Sequence, residues 1–393
     1  MDACQHGPWS FLTPQEILYG DGALERLADA LPSLGTKALV VTDATMVGLG
    51  NVARACAVLD RAGIAWEIFD QVSGEPTDTM VRAGAQLFRC SGCDFMVGLG
   101  GGSPLDTMKA IALVVAGGGE ISSYLGRTAE GPVCPMVAVP TTAGTGSEAT
   151  RFAIITDTAR DVKMLIAGPS LIPHTAVVDP VFTLTAPASV TAATGVDALC
   201  HAIESFTSRK ANPLSETFSL SAARRIFGNL ATCVREPENR EARVQMSLAA
   251  TEAGIAFSNA SVTLIHGMSR PIGALFHVPH GLSNAMLMDV CLTFALDGAP
   301  ERFARIARYC GISSSPSERE ASAALMRAIR DLLTELEIPS LAAYGVPREA
   351  YFGAIEKMVA DAIESGSPAN TIRDVGPEDL RRLYADAYDR GAR

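Results

Sequence analysis

Four side chains in the second half of the sequence have the types and spacing of metal ligands. Asp197 and His201, in TGVDALCHAIES, are four residues apart and so share one face of a helix about a turn apart. His266 and His280 frame HGMSRPIGALFHVPHG, where prolines and a glycine disfavour one straight helix, so the chain must fold back for the two imidazoles to converge. One carboxylate and three imidazoles form a ligand set suited to Zn²⁺ or Fe²⁺. A cap or core role is the alternative for each residue alone, but three of only six histidines fall in these two motifs.

A glycine-rich turn in the first half is suited to the pyrophosphate of a dinucleotide. The segment VGLGGGSPLDTMKAIALV predicts a buried strand, then Gly100, Gly101 and Gly102, then Ser103 at the start of a helix. Glycines let the backbone approach a ligand closely, and the helix N-terminus offers free N–H groups and a partial positive charge. Because Ser103 stands where the G-x-G-x-x-G fingerprint has its third glycine, an ordinary tight turn is the alternative.

Two neighbouring segments extend this nucleotide hypothesis. Asp43 ends the strand ALVVTD, where a carboxylate can accept hydrogen bonds from a ribose diol and would repel a 2′-phosphate, which favours NAD over NADP. A helix cap is the alternative role for Asp43. The loop PTTAGTGSEAT, residues 140–150, can hydrogen-bond a nucleotide or satisfy a helix end.

The elements around these motifs predict two domains in a chain of 393 residues. Short β-rich runs alternate with helical patterns in the first half, which favours a doubly wound parallel sheet. The predicted strands are 38–43, 65–70, 94–98 and 136–140, and helices are predicted over 52–63 and 79–90. After a proline-rich stretch, 168–187, the pattern is helical. We therefore expect an α/β domain over residues 1–182 and an all-helical domain over residues 183–393.

The composition excludes several classes of protein. With 48% apolar and 19% charged residues, the chain has the profile of a folded globular protein. The net charge of −11 argues against general binding to nucleic acid or anionic membranes. No apolar run reaches the ~18 residues of a spanning helix, and no basic start precedes an apolar stretch at the N-terminus. We expect a cytoplasmic protein without a membrane segment.

The cysteines do not indicate a disulfide framework, because nine is an odd number and they are scattered. Cys90 and Cys93, in RCSGCDF, form one CxxC motif. A redox or zinc role for this pair competes with two small thiols at a helix end, and no second CxxC completes a four-thiolate site.

Taken together, the motifs resemble those of the iron-containing (group III) alcohol dehydrogenases of the dehydroquinate synthase-like superfamily. The likeness covers VTD at 41–43, GGGSPLD at 100–106, PTTAGTGSE at 140–148, D-x3-H at 197–201 and H-x13-H at 266–280, so it runs along essentially the whole chain. It implies a Rossmann-like N-terminal domain, a helical C-terminal domain, and NAD and a metal ion in the cleft between them.

The resemblance also implies roles for single residues. It assigns the pyrophosphate and its surroundings to Gly100, Gly101, Gly102, Ser103 and Asp106, the adenosine ribose to Asp43, the lining of the nucleotide to Thr141, Thr142 and Thr145, a place near the cofactor to Lys163, the hinge to Thr183 and Leu184, and Fe²⁺ or Zn²⁺ to Asp197, His201, His266 and His280.

One position departs from the family pattern. Many alcohol-specific relatives carry a histidine four residues after the third ligand, and this chain has Arg270 there. A guanidinium does not release a proton near neutral pH, but it can hold a carboxylate, sulfonate or phosphonate by two parallel hydrogen bonds. An anionic substrate held by Arg270 is therefore one hypothesis, and an ion pair with a protein carboxylate is the alternative. His277 is the remaining candidate for a proton relay, or else a packing histidine.

The predicted function is a metal-dependent, NAD(H)-linked alcohol dehydrogenase or aldehyde reductase. Hydride would pass between the nicotinamide C4 and a primary alcohol or aldehyde held at the metal. We expect a homo-oligomer, by default a dimer. A zinc-dependent polyol dehydrogenase and a dehydroquinate-synthase-like lyase remain alternatives on the same fold. A metal hydrolase would leave the glycine turn unexplained, and a non-catalytic nucleotide-binding protein would leave the four ligands unexplained.

Overall fold

A parallel sheet of six strands forms the centre of the first half of the chain. The computed structural model describes residues 8–160 and 162–390. Its strands and the helices between them are β1 (Glu16–Tyr19), α1 (Ala23–Ala30), β2 (Lys37–Val41), α2 (Ala44–Gly48), α3 (Asn51–Arg61), β3 (Ala65–Phe69), α4 (Asp78–Ser91), β4 (Phe95–Gly100), α5 (Gly102–Gly117), β5 (Met136–Pro140), β6 (Phe152–Asp157), β7 (Val162–Ala167) and β8 (Thr175–Val178). The strand order is β1-β8-β5-β4-β2-β3, and every neighbouring pair is parallel.

The four predicted strands correspond to β2, β3, β4 and β5, and the two predicted helices to α3 and α4. All residues of β4 and β5 are buried, as expected of strands covered on both faces. β1, β8 and the antiparallel β6–β7 hairpin have no counterpart in the prediction. β1 and β8 are only four residues long, and β8 lies inside the proline-rich stretch, which obscures its apolar pattern.

The order of the strands fixes where a ligand can bind. From β2 the sheet grows in one direction to β3, and from β4 it grows in the other direction through β5 to β8. This reversal leaves a crevice beyond the carboxyl ends of β2 and β4. Because Val41 pairs with Gly98, Asp43 and Gly100 leave the sheet side by side.

The second half is helical within the described residues. Its helices are α6 (Ala188–Phe206), α7 (Pro213–Arg235), α8 (Arg240–Asn259), α9 (Leu264–Phe276), α10 (His280–Leu296), α11 (Pro300–Tyr309), α12 (Glu318–Glu335), α13 (Leu341–Tyr344), α14 (Arg348–Gly353), α15 (Ile355–Glu364) and α16 (Pro377–Ala387). One apolar core joins these helices, and two others lie on the two faces of the sheet. The predicted class, a parallel α/β unit followed by a helical one, is confirmed; the boundary at residue 183 stays a prediction.

The chain between the two later histidines folds back as expected, and the turn lies near the end of that segment. Pro271 lies inside α9, which continues to Phe276. His277 then takes a left-handed conformation, with φ of 54°, and α10 begins at His280. The turn 277–279 therefore reverses the chain, and it brings the start of α10 back towards α9.

Among the described residues, no single helix is long and apolar enough to cross a membrane. The consecutive helices α8 and α9 reach that length and apolar content only together, and they are bent by 103° with respect to each other.

Candidate metal and cofactor site

Four ligand atoms converge in the helical half. Asp197 Oδ1 lies 3.9 Å from His201 Nε2, 3.6 Å from His266 Nε2 and 3.8 Å from His280 Nε2. The Nε2 atoms of His201 and His266 are 2.9 Å apart. One ligand atom from each residue lies within 4.8 Å of all the others. The structure therefore brings together the four residues that the sequence motifs select.

Three helices position these ligands. Asp197 and His201 lie one turn apart on α6, His266 lies in the first turn of α9, and His280 is the first residue of α10. Asp197, His201 and His266 are buried, whereas the side chain of His280 is 41% exposed. The cluster is thus closed on the side of α6 and α9 and open on the side of α10.

Close packing around α6 holds this arrangement. A Cβ at Gly281 would lie 2.7 Å from the carbonyl oxygen of Ala193, so the glycine allows α10 to start directly against α6. On the other side, the ring of Phe257 from α8 stacks on the imidazole of His201, with 4.3 Å between ring centroids. Both contacts restrict the positions that the ligands can take.

A buried carboxylate that the sequence analysis did not select supports His266. Glu204 is fully buried, and its Oε2 is hydrogen-bonded to His266 Nδ1. Its Oε1 accepts hydrogen bonds from Thr263 Oγ1 at 2.8 Å and from the backbone N–H of Ile265 at 2.7 Å. The available signal was helical spacing, since Glu204 follows Asp197 by seven residues and His201 by three.

Asn284 is a second polar residue at the site that the sequence analysis did not select. It lies one turn after His280 on α10, and its Nδ2 donates to Asp197 Oδ1 at 2.6 Å. The same nitrogen lies 3.1 Å from His266 Nε2 and 3.3 Å from His280 Nε2. Its Oδ1 is buried without a hydrogen-bond partner among the described residues.

The electrostatics of the cluster follow from burial and from the two carboxylates. Burial lowers the pKa of His201 to about 4, against the attraction of Asp197. Burial also acts to lower the pKa of His266, but Glu204 and Asp197 outweigh it and raise that pKa to about 9. Burial would raise the pKa of Asp197, yet the neighbouring imidazoles hold it well below its usual range. Asp197 is therefore ionised and available as a ligand at neutral pH.

The donor set fits a divalent cation. Two imidazole Nε2 atoms at 2.9 Å cannot both direct lone pairs at each other without a cation or a proton between them. One oxygen and three nitrogen donors, with no thiolate, match Zn²⁺ or Fe²⁺. In the described part of the chain this is the one group of His, Cys, Asp and Glu with a spacing suited to an ion.

The glycine turn forms a cradle next to two threonines of the loop 140–150. A Cβ at Gly102 would lie 3.1 Å from Thr145 Cγ2, and one at Gly101 would lie 3.6 Å from Thr142 Oγ1. α5 begins here without a side-chain cap and without an acidic residue in its first turn. Its first N–H groups therefore remain suited to an anion such as a pyrophosphate.

The same loop contacts the helical half. Gly146, with φ of 63°, packs against Gly254 of α8 so closely that a Cβ at Gly146 would lie 2.6 Å from Gly254 Cα. The backbone N–H of Thr141 donates to the carbonyl of Gly100 at 2.9 Å, which ties the start of the loop to the glycine turn. The predicted nucleotide loop thus lies between the glycine turn and α8, the helix whose Phe257 stacks on His201.

The remaining predicted cofactor residues have protein partners. Asp43 caps α2 by accepting from the N–H of Met46 at 2.9 Å through Oδ1. Asp106 accepts from Ser147 Oγ at 2.6 Å and from the N–H of Ile154 at 2.9 Å. Contacts of these two carboxylates with a cofactor stay predictions.

Lys163 and Thr183 also have partners within the protein. Lys163 Nζ pairs with Glu75 Oε1 at 2.5 Å on the hairpin strand β7. Thr183 is buried next to the start of α6 and donates to the carbonyl of Pro180 at 2.8 Å. Leu184 follows it directly. The proximity of Lys163 to a cofactor and the hinge at Thr183 and Leu184 stay predictions.

Arg270 and His277 occupy different environments. Arg270 follows His266 by one turn on α9, and its Nη1 donates to Ser367 Oγ at 3.2 Å. Its Nε is buried without a partner, and no described Asp or Glu carboxylate lies within ion-pair distance of the guanidinium. The alternative of an ion pair with a protein carboxylate is therefore not observed among the described residues. His277 is exposed in the turn between α9 and α10, and its role as a proton relay stays a prediction.

The CxxC pair does not belong to a metal-suited group among the described residues. Cys90 is exposed near the end of α4, whereas Cys93 is buried and burial raises the pKa of its thiol to about 11. A thiol with that pKa is not a ready nucleophile at neutral pH. This favours the structural role over a redox one.

Comparison with known proteins gives matches along the chain. The family model "Iron-containing alcohol dehydrogenase" matches residues 14–180, and "Fe-containing alcohol dehydrogenase family, C-terminal" matches residues 191–388. The NAD-dependent methanol dehydrogenase of Bacillus methanolicus is 36% identical over 386 residues, covering 96% of this chain and 99% of the relative.

Two solved structures share this architecture. A 1,3-propanediol oxidoreductase is 34% identical, with a TM-score of 0.94, over 97% of this chain and 100% of the other. A sulfoacetaldehyde reductase from Bifidobacterium kashiwanohense, solved in complex with NAD⁺, is 29% identical, with a TM-score of 0.86, over 97% of this chain and 99% of the other.

Proposed function

This chain belongs to the iron-containing alcohol dehydrogenase family and is an NAD-dependent alcohol dehydrogenase of that type; within that class, we propose that its substrates are small primary alcohols, or the corresponding aldehydes, that carry an anionic group bound by Arg270. The family predicted from the motifs is confirmed by the two matching models. The substrate class goes beyond the family, and it rests on the residues around the metal cluster.

The observation that carries the proposal is a half-buried guanidinium whose Nε is fully buried and which has no carboxylate partner among the described residues. Burying a charge is costly unless it is paired, so buried arginines are normally matched by an acid. Arg270 has only the hydroxyl of Ser367 as a hydrogen-bond acceptor among the described residues. A carboxylate, sulfonate or phosphonate would supply the missing partner by two parallel hydrogen bonds. The likeness to a sulfoacetaldehyde reductase agrees with a substrate of this charge.

Arg270 lies close enough to the metal ligands to bind the charged end of a substrate that reacts there. Arg270 is one turn after His266, so it lies on the same face of α9 as a proposed metal ligand. A substrate whose anionic end is bound by Arg270 would therefore place its hydroxyl or carbonyl carbon a short distance away, beside the four metal ligands. Charge at one end and an alcohol or aldehyde at the other define the proposed substrates.

The residues would divide the remaining tasks as follows. Asp197, His201, His266 and His280 would hold Fe²⁺ or Zn²⁺, and the glycine cradle with the first N–H groups of α5 would bind the pyrophosphate of NAD. When bound, the ion supplies Lewis acidity towards the substrate oxygen, and the nicotinamide supplies the site that accepts or returns a hydride.

Two further residues complete the proposal. Asp43 uses Oδ1 for its cap on α2, and its second carboxylate oxygen remains for the adenosine ribose. His277, exposed in the turn next to the ligand His280, would pass the proton of the alcohol to solvent. The cytoplasmic location and the homodimer expected from the sequence remain predictions.

The test compares Arg270→Gln with the wild type on matched aldehydes of equal length, one set bearing a sulfonate or carboxylate and one set neutral. A charge-assisted hydrogen bond contributes about 1.5–3 kcal/mol, so we expect kcat/KM for the anionic aldehydes to fall about 10- to 100-fold, mainly through KM. Neutral aldehydes should change less than about threefold. Arg270→Lys keeps the charge and should retain part of the preference.

A loss of equal size on neutral and anionic aldehydes would refute the proposal, because it would show that Arg270 supports the site rather than the charge of the substrate. A wild-type enzyme that prefers neutral aldehydes would refute it as well. Both measurements use the metal-loaded enzyme with NADH and follow absorbance at 340 nm.

A further inference from the structure

We propose that Glu204 is a positioning residue for the metal centre, which fixes the orientation and the tautomer of His266. Its hydrogen bonds go to His266 and to two residues at the start of α9, and none goes to Arg270. The inference depends on the metal ion of the family and not on the role of Arg270.

The hydrogen bonds of Glu204 leave it little freedom. Oε1 accepts from Oγ1 of Thr263, the residue before α9, and from the N–H of Ile265, the second residue of α9. Oε2 contacts His266 Nδ1. With no exposed surface, the carboxylate cannot exchange these partners for water. It therefore connects α6 to the beginning of α9, at the residue next to the metal ligand.

This arrangement decides which nitrogen of His266 faces the ligand cluster. A carboxylate is only an acceptor, so Nδ1 must carry a proton to bond to it. In a neutral imidazole the lone pair is then on Nε2, the atom that lies 3.6 Å from Asp197 Oδ1. A histidine ligand is typically oriented in this way by a carboxylate on its other nitrogen, and loss of such a partner weakens metal binding about 10- to 100-fold.

Glutamine is an isosteric probe because it cannot satisfy both sides at once. If its oxygen accepts from Thr263 and Ile265, as Oε1 of Glu204 does, its NH₂ group faces His266 Nδ1. Nδ1 must then be an acceptor, which moves the proton to Nε2 and removes the lone pair that a metal needs. If the amide turns the other way, its NH₂ group meets two donors. Either orientation disturbs the metal site without changing the volume of the side chain.

The experiment measures metal affinity in the absence of substrate and cofactor. Apo proteins are titrated with Co²⁺ and Zn²⁺ against a chromophoric chelator, and the visible bands of bound Co²⁺ report the ligand geometry. We expect Glu204→Gln to weaken both affinities about 10- to 100-fold and to alter the Co²⁺ bands. Glu204→Asp keeps the charge but shortens the reach, and it should also weaken binding.

Glu252→Gln is the matched control. Glu252 is a buried carboxylate on α8 that accepts from Ser221 Oγ at 3.0 Å and from Arg225 Nε at 3.1 Å, and it is not part of the ligand group. Its loss should lower stability but leave the metal affinity within about twofold. Metal binding by folded Glu204→Gln that equals the wild type within threefold would overturn the proposal.

A measurement on the wild type keeps the proposal falsifiable if both Glu204 variants fail to fold. In the Zn²⁺-loaded protein, proton NMR of the imidazole N–H groups should show a strongly hydrogen-bonded Nδ1–H on His266, assigned by its loss in His266→Ala. Absence of that signal, or a proton on Nε2 instead, would refute the role assigned to Glu204. Failure of the Arg270 experiment leaves these metal measurements unaffected, so the two proposals can fail separately.

Discussion

Replacement of Lys109 by methionine should destabilise the α/β half of the protein by about 3 kcal/mol. Lys109 lies on α5, its side chain is fully buried, and its ammonium has four acceptors. These are Ser147 Oγ at 2.9 Å, Thr150 Oγ1 at 3.0 Å, and the carbonyl oxygens of Thr150 at 3.1 Å and Phe152 at 2.9 Å. The Lys109 side chain thus connects α5, the helix that follows the glycine turn, to the C-terminal end of the loop 140–150 and the start of β6.

The magnitude follows from what remains after the ammonium is removed. The two hydroxyls can rotate to other partners, but the carbonyls of Thr150 and Phe152 lose a buried donor, at a cost of roughly 1–3 kcal/mol each. Part of this is offset, because burial of the ammonium is itself costly: burial lowers the pKa of Lys109 to about 8, against the attraction of Asp106 and Glu148. The cost of the two unpaired carbonyls, less the cost of burying the ammonium, gives a net loss of about 3 kcal/mol in the free energy of unfolding.

Urea unfolding followed by the fluorescence of Trp66 measures the loss of stability in the α/β half of the protein. Trp66 lies on β3 of the sheet, and a Trp9→Phe background removes the only other tryptophan. Lys163→Met is the control, because Lys163 pairs with Glu75 while 29% of its side chain is exposed. An ion pair of that kind contributes less than about 1 kcal/mol. If Lys109→Met and Lys163→Met cost the same, the assigned role of the buried ammonium is wrong.

Three other perturbations have defined outcomes. Gly146→Ala should lower the stability by about 2–4 kcal/mol, because it combines a positive φ with a Cβ 2.6 Å from Gly254 Cα, whereas Gly228→Ala on α7, where a Cβ meets nothing within 4 Å, should be neutral or stabilising in the same thermal melt. Burial would raise the pKa of Asp94, but hydrogen bonds from the backbone of Lys37 and Thr36 outweigh it and lower that pKa. The stability from this carboxylate is therefore present above its unfolded pKa of about 3.9 and is lost as the pH falls through the lower folded value, so Asp94→Asn should be less stable in urea at pH 7 and nearly equal to the wild type at pH 2; equal stability at pH 7 would contradict this. Removal of the metal by a chelator should lower the melting temperature, and Zn²⁺ at about 100 times its Kd should restore about 2.7 kcal/mol; an unchanged melt would mean that the four ligands hold no ion.

The metal cluster could be predicted because two of its four ligands lie close together in the sequence. Asp197 and His201 are four residues apart, and any helix places such a pair on one face. His266 and His280 depend on a turn that the sequence shows only as a set of helix-disfavouring residues. Pro271 lies within α9, and the reversal comes later, at residues 277–279, where His277 takes a positive φ. The reversal was predictable, and its position was not.

Glu204 and Asn284, which support the ligands, could not be predicted because of their residue types, although their spacing was suitable. Glu204 and Asn284 fall at helical intervals from the ligands, so their faces could have been found. A glutamate or asparagine in a helix is usually solvated, however, and burial of these two depends on α8, α9 and α10 closing around them. Lys109 is the same case: its acceptors lie 38 to 43 residues further along the chain, and no local pattern indicates them.

The balance of buried charge gives a physical reason for an anionic substrate in this chain. Asp197 and Glu204 are buried carboxylates. The charge of Glu204 acts to raise the pKa of the Arg270 guanidinium, and the charge of Arg270 acts to lower the pKa of His280. With a divalent ion in place, these groups together carry one net positive charge, whereas a neutral residue at position 270 would leave them balanced. An unmatched positive charge in a largely buried site is unfavourable until an anion enters. Arg270 therefore disfavours neutral alcohols as well as favouring charged ones, so Arg270→Gln should lower KM for neutral substrates slightly, by less than about threefold, while it weakens the binding of anionic ones.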